Sequence, residues 1–385
     1  GSSTLKFALH PVEGSIAQPA LLTGVIEGLS TQGPLDMTWN GGGTTHTERR
    51  GDADGDGFES ALAMLQKMLQ RESAGRELQA VAHRVVHGGA RYREATVVTD
   101  SVVQDLERLC PLAPLHQPYN VQGIRAFARR FPTVPQVACF DTAYHADLPD
   151  VEYRFALPQA IHDEGVRRYG FHGLSYQYVM QSLQQVTPMA HGRVVMAHLG
   201  SGASVCGATQ GQSRATSMGF SALDGLMMGT RAGALDAGVV LHLLAQGWDH
   251  ARLQHLLYRQ SGLLGVSEVS SDMRQLRRSD SAQADLAIRM FTYRVVREVG
   301  GMVACIGGLD VLAFTGGIGE HDATLRSEVC ERLAFLGVRM DPRANALADG
   351  SGPVALHLPD SAVEVWMVPT DEGFVAAQTA GRLVL

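Results

Sequence analysis

The chain has 385 residues, 45% of them hydrophobic and 18% charged, which predicts two or three folded domains with large cores rather than disorder. The formal net charge of −7 and pI of about 6.1 argue against a nucleic-acid-binding surface, which is usually basic. No apolar run approaches the roughly 20 residues that span a bilayer, and the first residues do not resemble a signal peptide. These features predict a cytoplasmic protein that binds neither nucleic acid nor membrane.

The first part of the chain alternates between predicted strands and helices. Apolar spacing predicts strands at residues 5–9, 78–86 and 134–140, and helices at residues 58–69 and 121–130. Residues 30–56 are rich in turn formers and predict hairpins and a surface loop. The acidic run at residues 52–56 resembles part of a calcium loop but lacks a glutamate at the required distance, which favours a solvated loop.

The second part continues the alternation. Ser175 is a candidate cap for a helix that runs to about residue 183, and residues 194–208 predict two strands joined by a glycine turn. Further helices are predicted at residues 235–245, where the pattern is amphipathic, and at residues 282–305 and 323–336. Strands at residues 311–314 and 363–368 complete the pattern, with a final helix after residue 373. This alternation is typical of an α/β fold.

Small-residue turns occur near a strand in each half of the chain, at residues 1–4 and 200–204. Two such turns indicate a duplicated fold with a phosphate loop in each half.

The five cysteines are odd in number and far apart, and no two of them form a CxxC pair. They are predicted to be reduced and buried, as is usual for cytosolic proteins. A catalytic thiol is the alternative, but no cationic residue or helix start near any cysteine favours it.

Polar or glycine-rich residues follow several predicted strands, and ligands of α/β sheets bind at the carboxyl ends of strands. The candidates are Arg84, Asp141, His198, residues 316–320 and Glu372. Glycine turns present N–H groups to anions, arginines bind phosphate oxygens and carboxylates hold Mg²⁺. Together these residue types predict phosphoryl transfer.

Each candidate also has a purely structural interpretation. Arg84 fits a buried ion pair, Asp141 and Glu372 fit helix or turn caps, and the glycines at residues 316–319 fit tight packing. His172, between an aromatic residue and a glycine, fits a core histidine. Only their joint placement at strand ends favours a ligand site.

Eight motifs resemble, in order and over essentially the whole chain, those of the acetate and propionate kinase family. This family belongs to the superfamily of actin-like, hexokinase-like and Hsp70-like ATPases. The motifs are HRVVHGG at residues 83–89, APLH at 113–116, FDTAYH at 140–145, YGFHG at 169–173, HLGSGAS at 198–204, SMGFSALDGLMMGTR at 217–231, FTGGIGE at 314–320 and PTDE at 369–372.

The resemblance implies a duplicated ribonuclease H-like α/β fold with two domains flanking a nucleotide cleft. Residues 1–142 plus 373–385 would form the first domain. Residues 143–372 would form the second, which binds the nucleotide and makes the interface of a homodimer.

The chemistry that the resemblance implies is reversible in-line transfer of the ATP γ-phosphoryl group to acetate, giving acetyl phosphate and ADP. Mg²⁺, or Mn²⁺ in its place, would assist. Arg84 and Arg231 would bracket the phosphoryl group, His172 would hydrogen-bond its oxygens, Asp141 would be the catalytic carboxylate, and Glu372 would organise the metal. No general base is required, because acetate is already ionised at neutral pH.

The resemblance also assigns supporting residues. His116 would be a further active-site histidine, and Val86, Leu115, Phe171 and Ala222 would join Arg84 in binding the acyl group. The nucleotide-binding residues would be His198, Leu199, Gly200, Ser201, Gly202, Asp272, Met273, Arg274, Gly317, Ile318, Gly319 and His321.

Four positions depart from the family pattern. An asparagine of the family would precede Gly1, Ser201 replaces a frequent asparagine, Ala222 replaces a frequent proline and His321 replaces a frequent asparagine. Ala222 removes bulk from the acyl pocket and would admit propionate.

Two alternatives therefore stay open beside acetate kinase. A propionate kinase on the same fold is favoured by Ala222, although one methylene discriminates by only about 1–3 kcal/mol. A nucleotide-binding relative without turnover is supported only by the asparagine that the sequence lacks, and the five matched catalytic residues argue against it. A sugar kinase is disfavoured, because its acceptor hydroxyl needs a base in a roomy polar cleft.

Overall fold

The computed structural model describes residues 4–29, 34–51, 57–72 and 75–385. The turn at residues 1–3 and the acidic run at residues 52–56 lie outside the described residues. The chain divides into two compact units: unit 1 comprises Gly1–Ala143 and Asp371–Leu385, and unit 2 comprises Tyr144–Thr370. Glu372, which the sequence placed at the end of the second domain, thus lies in unit 1.

Strands and helices alternate along both units. In chain order, the strands of the described residues are β1 (Thr4–Leu9), β2 (Val12–Glu13), β3 (Ile16–Ala17), β4 (Leu22–Glu27), β5 (Leu35–Gly41), β6 (Thr44–Arg50), β7 (Val81–Val85), β8 (Thr96–Val97), β9 (Gln136–Phe140), β10 (Arg193–Leu199), β11 (Ala203–Thr209), β12 (Gln212–Thr216), β13 (Val311–Thr315), β14 (Val354–Ala355) and β15 (Glu364–Met367). The helices are α1 (Gly57–Glu72), α2 (Asp100–Arg108), α3 (Gln117–Arg130), α4 (Asp150–Tyr153), α5 (Gln159–Asp163), α6 (Gly173–Val186), α7 (Ala237–Ala245), α8 (His250–Arg259), α9 (Gly262–Ser267), α10 (Met273–Leu276), α11 (Ala282–Cys305), α12 (Gly316–His321), α13 (Ala323–Arg332), α14 (Pro342–Leu347) and α15 (Glu372–Val384).

Unit 1 contains a four-stranded antiparallel sheet in the order β1-β4-β5-β6 and a three-stranded sheet in the order β7-β9-β8. The apolar stripe of α1, which includes Leu62, Leu65 and Met68, packs against Met37 and Trp39 of the larger sheet. In the smaller sheet β7 and β9 are parallel, so their carboxyl ends meet at one edge. That edge carries Arg84 and Asp141.

Unit 2 is built on a six-stranded sheet in the order β12-β11-β10-β13-β15-β14. Its strands β10, β13 and β15 are parallel. On one face α6 packs against residues such as Met196 and Cys206, and on the other face α11 packs against Gly207. Because β10 and β13 are covered on both faces, they are almost entirely apolar. Their register pairs His198 with Thr315, which brings two of the glycine-rich motifs to one edge of the sheet.

Two local predictions were wrong. Helix α6 begins at Gly173, before the Ser175 cap expected from the sequence. Residues 316–321, for which no helix or strand was predicted, form a short helix. Helix α7 is not amphipathic, because His242 is its one polar side chain and apolar residues occur all around it.

The cysteine prediction holds in part. All five cysteines are free, and Cys139, Cys206 and Cys330 are buried, but Cys305 is exposed. Burial raises the pKa of each of the three buried thiols to about 12, which disfavours a catalytic thiolate among them. None of the described helices combines the length and apolar character needed to cross a membrane.

Candidate active site

Arg84, Asp141 and Glu372 form one cluster within unit 1. Arg84 Nε donates to Asp141 Oδ1 at 3.0 Å, and Arg84 Nη2 donates to Asp141 Oδ2 at 2.8 Å. Arg84 Nη1 donates to the Glu372 carboxylate at the start of α15. The Asp141 side chain is only 3% exposed, whereas that of Arg84 is 42% exposed. The buried carboxylate therefore fixes a guanidinium group that remains accessible from solvent.

The two carboxylates of this cluster stabilise the positive charge of Arg84. Surrounding protein atoms disfavour the charged form of Arg84, but the carboxylates of Asp141 and Glu372 outweigh this effect and raise the pKa of Arg84 above its ordinary value. Arg84 is thus a permanent cation held in a forked geometry that matches carboxylate or phosphate oxygens.

Asn120, which was not predicted from the sequence, supports the same edge of unit 1. Its amide donates to the Arg84 carbonyl at 3.2 Å and accepts from the Val86 N–H at 3.1 Å. The predicted residues Val86, Leu115 and His116 are half-buried, and His116 is the residue immediately before α3. Asn120 lies on that helix, so one side chain ties the helix to the end of β7.

His172 occupies a strained position in unit 2. Its φ of 59° lies in the left-handed region, which is uncommon for a residue other than glycine, and it directly precedes α6. Its Nδ1 lies 2.8 Å from Ser204 Oγ, and its ring stacks on that of His198 at 4.3 Å between centroids. Such strain persists only where the surroundings hold it in place, and it is commonest at functional sites.

The glycine before this turn is required by its surroundings. Gly170 has φ of 74°, and a Cβ atom there would lie 2.5 Å from the His145 ring. His145 is buried, with Nε2 at 3.0 Å from the Phe171 carbonyl, so Nε2 donates and Nδ1 accepts from Ser213 at 2.8 Å. His145 therefore supports the backbone immediately before His172.

This support depends on a neutral imidazole, which predicts a pH effect. Burial lowers the pKa of His145 to about 4, so the folded chain binds this proton less readily than the unfolded chain, whose value is about 6.5. The contribution of His145 to the free energy of unfolding is therefore fully present above about pH 6.5 and is lost progressively as the pH falls to about 4. From about pH 7 to about pH 5, His145 alone should lower the free energy of unfolding by about 2 kcal/mol.

Urea unfolding at several pH values measures this effect in the wild type and in His145→Gln. The variant should show a shallower dependence on pH, and the exposed His191→Gln variant serves as the control. Equal pH dependence in His145→Gln and the wild type would contradict the prediction.

The turn at residues 200–202 brings Arg231 and His172 together within unit 2. Gly200 N–H donates to the Gly202 carbonyl at 3.1 Å, which closes the turn. A Cβ atom on Gly202 would lie 2.7 Å from Arg231 Nη2 and 3.3 Å from His172 Nε2. Glycine at this position is therefore needed for the guanidinium to reach the turn, and it also lets the imidazole approach closely.

The Arg231 guanidinium is hydrogen-bonded to the backbone of another predicted residue. Its Nη1 donates to the Ala222 carbonyl at 2.5 Å. Burial lowers the pKa of Arg231, although an arginine remains charged at neutral pH.

Three other predicted binding residues differ in their exposure. Phe171 is fully buried and Leu199 lies in the core. Ser201 is exposed, and its carbonyl accepts from the Gly229 N–H at 3.1 Å.

Gly317, Ile318 and Gly319 lie in α12, and two side chains hold this glycine-rich helix in place. Glu320 accepts from the N–H groups of Gly316 at 2.8 Å and Thr370 at 3.2 Å. Arg326, fully buried, donates to the carbonyls of Gly319 at 2.9 Å and Glu320 at 2.8 Å. His321 ends the helix and is exposed. Arg326 was not predicted as a site residue, because a charged side chain is normally expected at the surface.

Asp272, Met273 and Arg274 lie at the start of α10 and are engaged within unit 2. The Asp272 carboxylate accepts from the Arg274 backbone N–H at 2.8 Å and from Arg274 Nη2 at 2.6 Å. Met273 is buried. Their contact with adenosine stays a prediction.

Comparison with known proteins decides the family. A family model described as "Acetokinase family" matches residues 1–378. The chain belongs to the acetokinase family. It is 47% identical over 387 residues to an acetate kinase of Rhodopseudomonas palustris, covering 100% of this chain and 96% of the relative. It is 39% identical over 390 residues to a propionate kinase of Edwardsiella piscicida, covering 100% of this chain and 94% of that relative.

Solved structures of the acetokinase family have the same fold. The acetate kinase of Porphyromonas gingivalis matches with a TM-score of 0.89 at 34% identity, covering 100% of this chain and 98% of the other. A propionate kinase from Francisella tularensis matches with a TM-score of 0.90 at 33% identity and the same coverage. The predicted family and fold class are confirmed.

Proposed function

We propose that this chain is a phosphotransferase that moves the γ-phosphoryl group of ATP to acetate, reversibly, giving acetyl phosphate and ADP. The observation that carries the proposal is the match of residues 1–378 to the acetokinase family. Several relatives over the full length of the chain are acetate kinases, at identities up to 47%. The ordered side chains of Arg84, His172 and Arg231 supply groups that such a transfer needs.

The unit 1 cluster supplies charge neutralisation on the acceptor side. A carboxylate attacks a polyanion poorly because the two repel each other, and a forked guanidinium removes part of that repulsion. Asp141 holds Arg84 in one rotamer by two hydrogen bonds, so the cation is oriented before the substrate arrives. We propose that Asp141 acts in catalysis through this orientation and that no residue serves as a general base.

The unit 2 groups supply hydrogen bonds to the transferring phosphoryl group. Arg231 and His172 converge on Gly202 of the turn, which carries backbone N–H groups suited to phosphate oxygens. Positive and neutral donors fixed in advance stabilise the charge that spreads over the equatorial oxygens in the transition state. We propose that the remaining motif residues, including His116 and those of α10 and α12, bind the substrates as the family resemblance implies.

The donor set fits Mg²⁺ that arrives with the nucleotide. Asp141 and Glu372 provide the carboxylate oxygens that Mg²⁺ prefers, and protein sites for Mg²⁺ commonly combine one or two carboxylates with water and substrate phosphates. Within the described ranges no group of three or more His, Cys, Asp or Glu side chains could hold a metal alone. We propose that Glu372 organises the ion, with Mn²⁺ as a substitute. Bound there, the ion would neutralise phosphate charge.

Acyl phosphate formation tests the function. With Mg-ATP and acetate, propionate or butyrate, we expect turnover to be highest with acetate, and Arg231→Ala to lower kcat at least about 10³-fold. A preference for propionate would favour the alternative function, a propionate kinase. Ala222 and the similarity to the propionate kinase of Edwardsiella piscicida support this alternative. ATP binding without turnover on any acid would reject the kinase function.

We also propose a homodimer that forms through α7. None of its residues is buried, and they are mostly apolar. Leu235, Val239, Leu241 and Leu244 in and beside it are between 39% and 66% exposed. A large exposed apolar patch on a soluble protein usually marks an interface, and an isologous dimer is the commonest way to cover one.

Sedimentation velocity tests the dimer. The wild type should sediment as a dimer and Leu241→Asp as a monomer, whereas Tyr293→Asp, a substitution at an exposed apolar residue of α11, tests whether the interface extends further. A monomeric wild type would contradict the proposal.

We further propose a cytoplasmic location, where the five free cysteines stay reduced.

A further inference from the structure

Two buried hydroxyl groups of unit 2 form a chain that leads to His172. Ser204 in β11 and Tyr176 in α6 are both 0% exposed. Ser204 Oγ lies 2.8 Å from His172 Nδ1 and 2.5 Å from Tyr176 Oη. No step proposed above uses either hydroxyl, although both lie directly behind the histidine.

The direction of the hydrogen bonds along this chain follows from a count of donors and acceptors. Burial raises the pKa of Tyr176 well above its ordinary value, so the phenol keeps its proton. A backbone hydrogen bond from His198 favours the charged form of the phenol, so it is donated by the N–H group. Among the described residues, Ser204 Oγ is the one acceptor left for the tyrosine proton. Ser204 therefore accepts from Tyr176. Its own proton has His172 Nδ1 as the one acceptor within hydrogen-bond distance among the described residues, so Ser204 donates to Nδ1.

This direction fixes the tautomer of the imidazole. If Nδ1 accepts, the proton of a neutral ring resides on Nε2. Nε2 is the atom that lies 3.3 Å from the position of the missing Gly202 Cβ, on the side of Arg231. In the opposite tautomer Ser204 Oγ would accept from both Tyr176 and His172 Nδ1. The buried Ser204 proton would then have no acceptor among the described residues, which is unfavourable.

The neighbouring histidine fixes the plane of the ring. His198 stacks on His172 with an interplanar angle of 20°, and His198 Nδ1 lies 2.8 Å from Ser175 Oγ. Stacking restricts rotation of the ring, whereas Ser204 determines which nitrogen carries the proton. The two contacts are therefore complementary.

We propose that Ser204, anchored by Tyr176, is a positioning residue that holds His172 as the Nε2–H tautomer, so that His172 donates from Nε2 to the transferring phosphoryl group. The part about donation rests on the proposed function. The part about the tautomer rests only on the contacts within unit 2.

The test combines ring-nitrogen NMR with kinetics on the full chain. The protein is labelled with ¹⁵N-histidine, and the His172 signals are assigned by comparison with a His172→Asn variant. In the wild type, His172 should show a protonated Nε2 and an unprotonated Nδ1. Ser204→Ala should populate the Nδ1–H form and lower kcat about 10- to 100-fold, with KM for acetate and ATP changed less than about threefold. Tyr144→Phe is the matched control, because it removes another tyrosine hydroxyl, which donates to the Gly211 carbonyl at 2.9 Å.

If Ser204→Ala fails to fold, the Tyr176→Phe/Ser204→Ala double variant replaces it, because there no buried tyrosine hydroxyl is left without a partner. A wild type with Nδ1–H, or a Ser204→Ala variant with the wild-type tautomer and kcat, would overturn the inference. A wild type that forms no acyl phosphate would instead overturn the proposed function, and the NMR signals would still decide the tautomer.

Discussion

Gly202→Ala is expected to abolish most activity while the protein remains folded. The new Cβ would lie 2.7 Å from Arg231 Nη2 and 3.3 Å from His172 Nε2, so the guanidinium would have to leave the turn and the imidazole would have to shift slightly. Loss of one such donor typically lowers kcat about 10²- to 10³-fold, so we expect a loss of about 10³-fold when one donor is displaced and the other is shifted. Steady-state assays of acyl phosphate formation measure it.

Stability should change little in Gly202→Ala. Gly202 is not among the glycines with positive φ, and the one atom closer than 3.0 Å to the new Cβ is the end of the Arg231 side chain, so the free energy of unfolding should fall by less than about 1 kcal/mol. Gly300→Ala in α11 is the control, because an added Cβ there meets no atom within 4 Å. It should keep full activity and gain up to about 1 kcal/mol. Near-normal kcat in Gly202→Ala would contradict the proposed roles of Arg231 and His172.

Arg84→Ala should lower both activity and stability, for separable reasons. Removing a guanidinium that neutralises a transferring phosphoryl group costs about 10³- to 10⁵-fold in kcat. It also leaves the buried Asp141 carboxylate without its guanidinium partner, which should cost about 2–3 kcal/mol of unfolding free energy. Urea unfolding and acyl phosphate assays measure the two effects independently.

Two variants separate these causes. Arg84→Ala/Asp141→Asn removes the buried charge as well, so it should regain most of the lost stability but remain inactive. Arg193→Ala breaks a similar pair, in which a 43% exposed arginine contacts an 18% exposed Asp310 at the opposite end of β10. It should lose stability and keep activity. If Arg84→Ala keeps activity within about tenfold of the wild type, Arg84 does not act on the transferring group.

The parts of the fold that were predictable are those whose burial leaves a sequence pattern. The run Val311–Thr315 is apolar because helices cover both faces of its sheet, and α11 has its predicted bounds because its buried residues recur at helical spacing. The strand ends follow from the same patterns. Arg84 and Asp141 could therefore be placed at one edge before their contact was known.

The parts that were missed depend on contacts distant in sequence. Helix α6 begins after His172, whose backbone is in the left-handed region, and no local sequence pattern predicts a positive φ at a histidine. Residues 316–321 are poor helix formers, yet they form α12 because Glu320 and the buried Arg326 bind its backbone. Ser204 and Tyr176 are 28 residues apart in sequence, so their 2.5 Å contact is visible only in three dimensions.

The discontinuity of unit 1 has a consequence for biosynthesis. Its residues 371–385 follow the whole of unit 2 in the chain, and α15 packs against β7. At about 5–20 residues per second, a ribosome needs roughly 10–45 s to make unit 2 after the first part of unit 1. During that interval unit 2 can fold as a continuous segment, whereas β7 lacks its covering helix and Arg84 lacks Glu372. Nascent chains should therefore acquire protease resistance in unit 2 before unit 1.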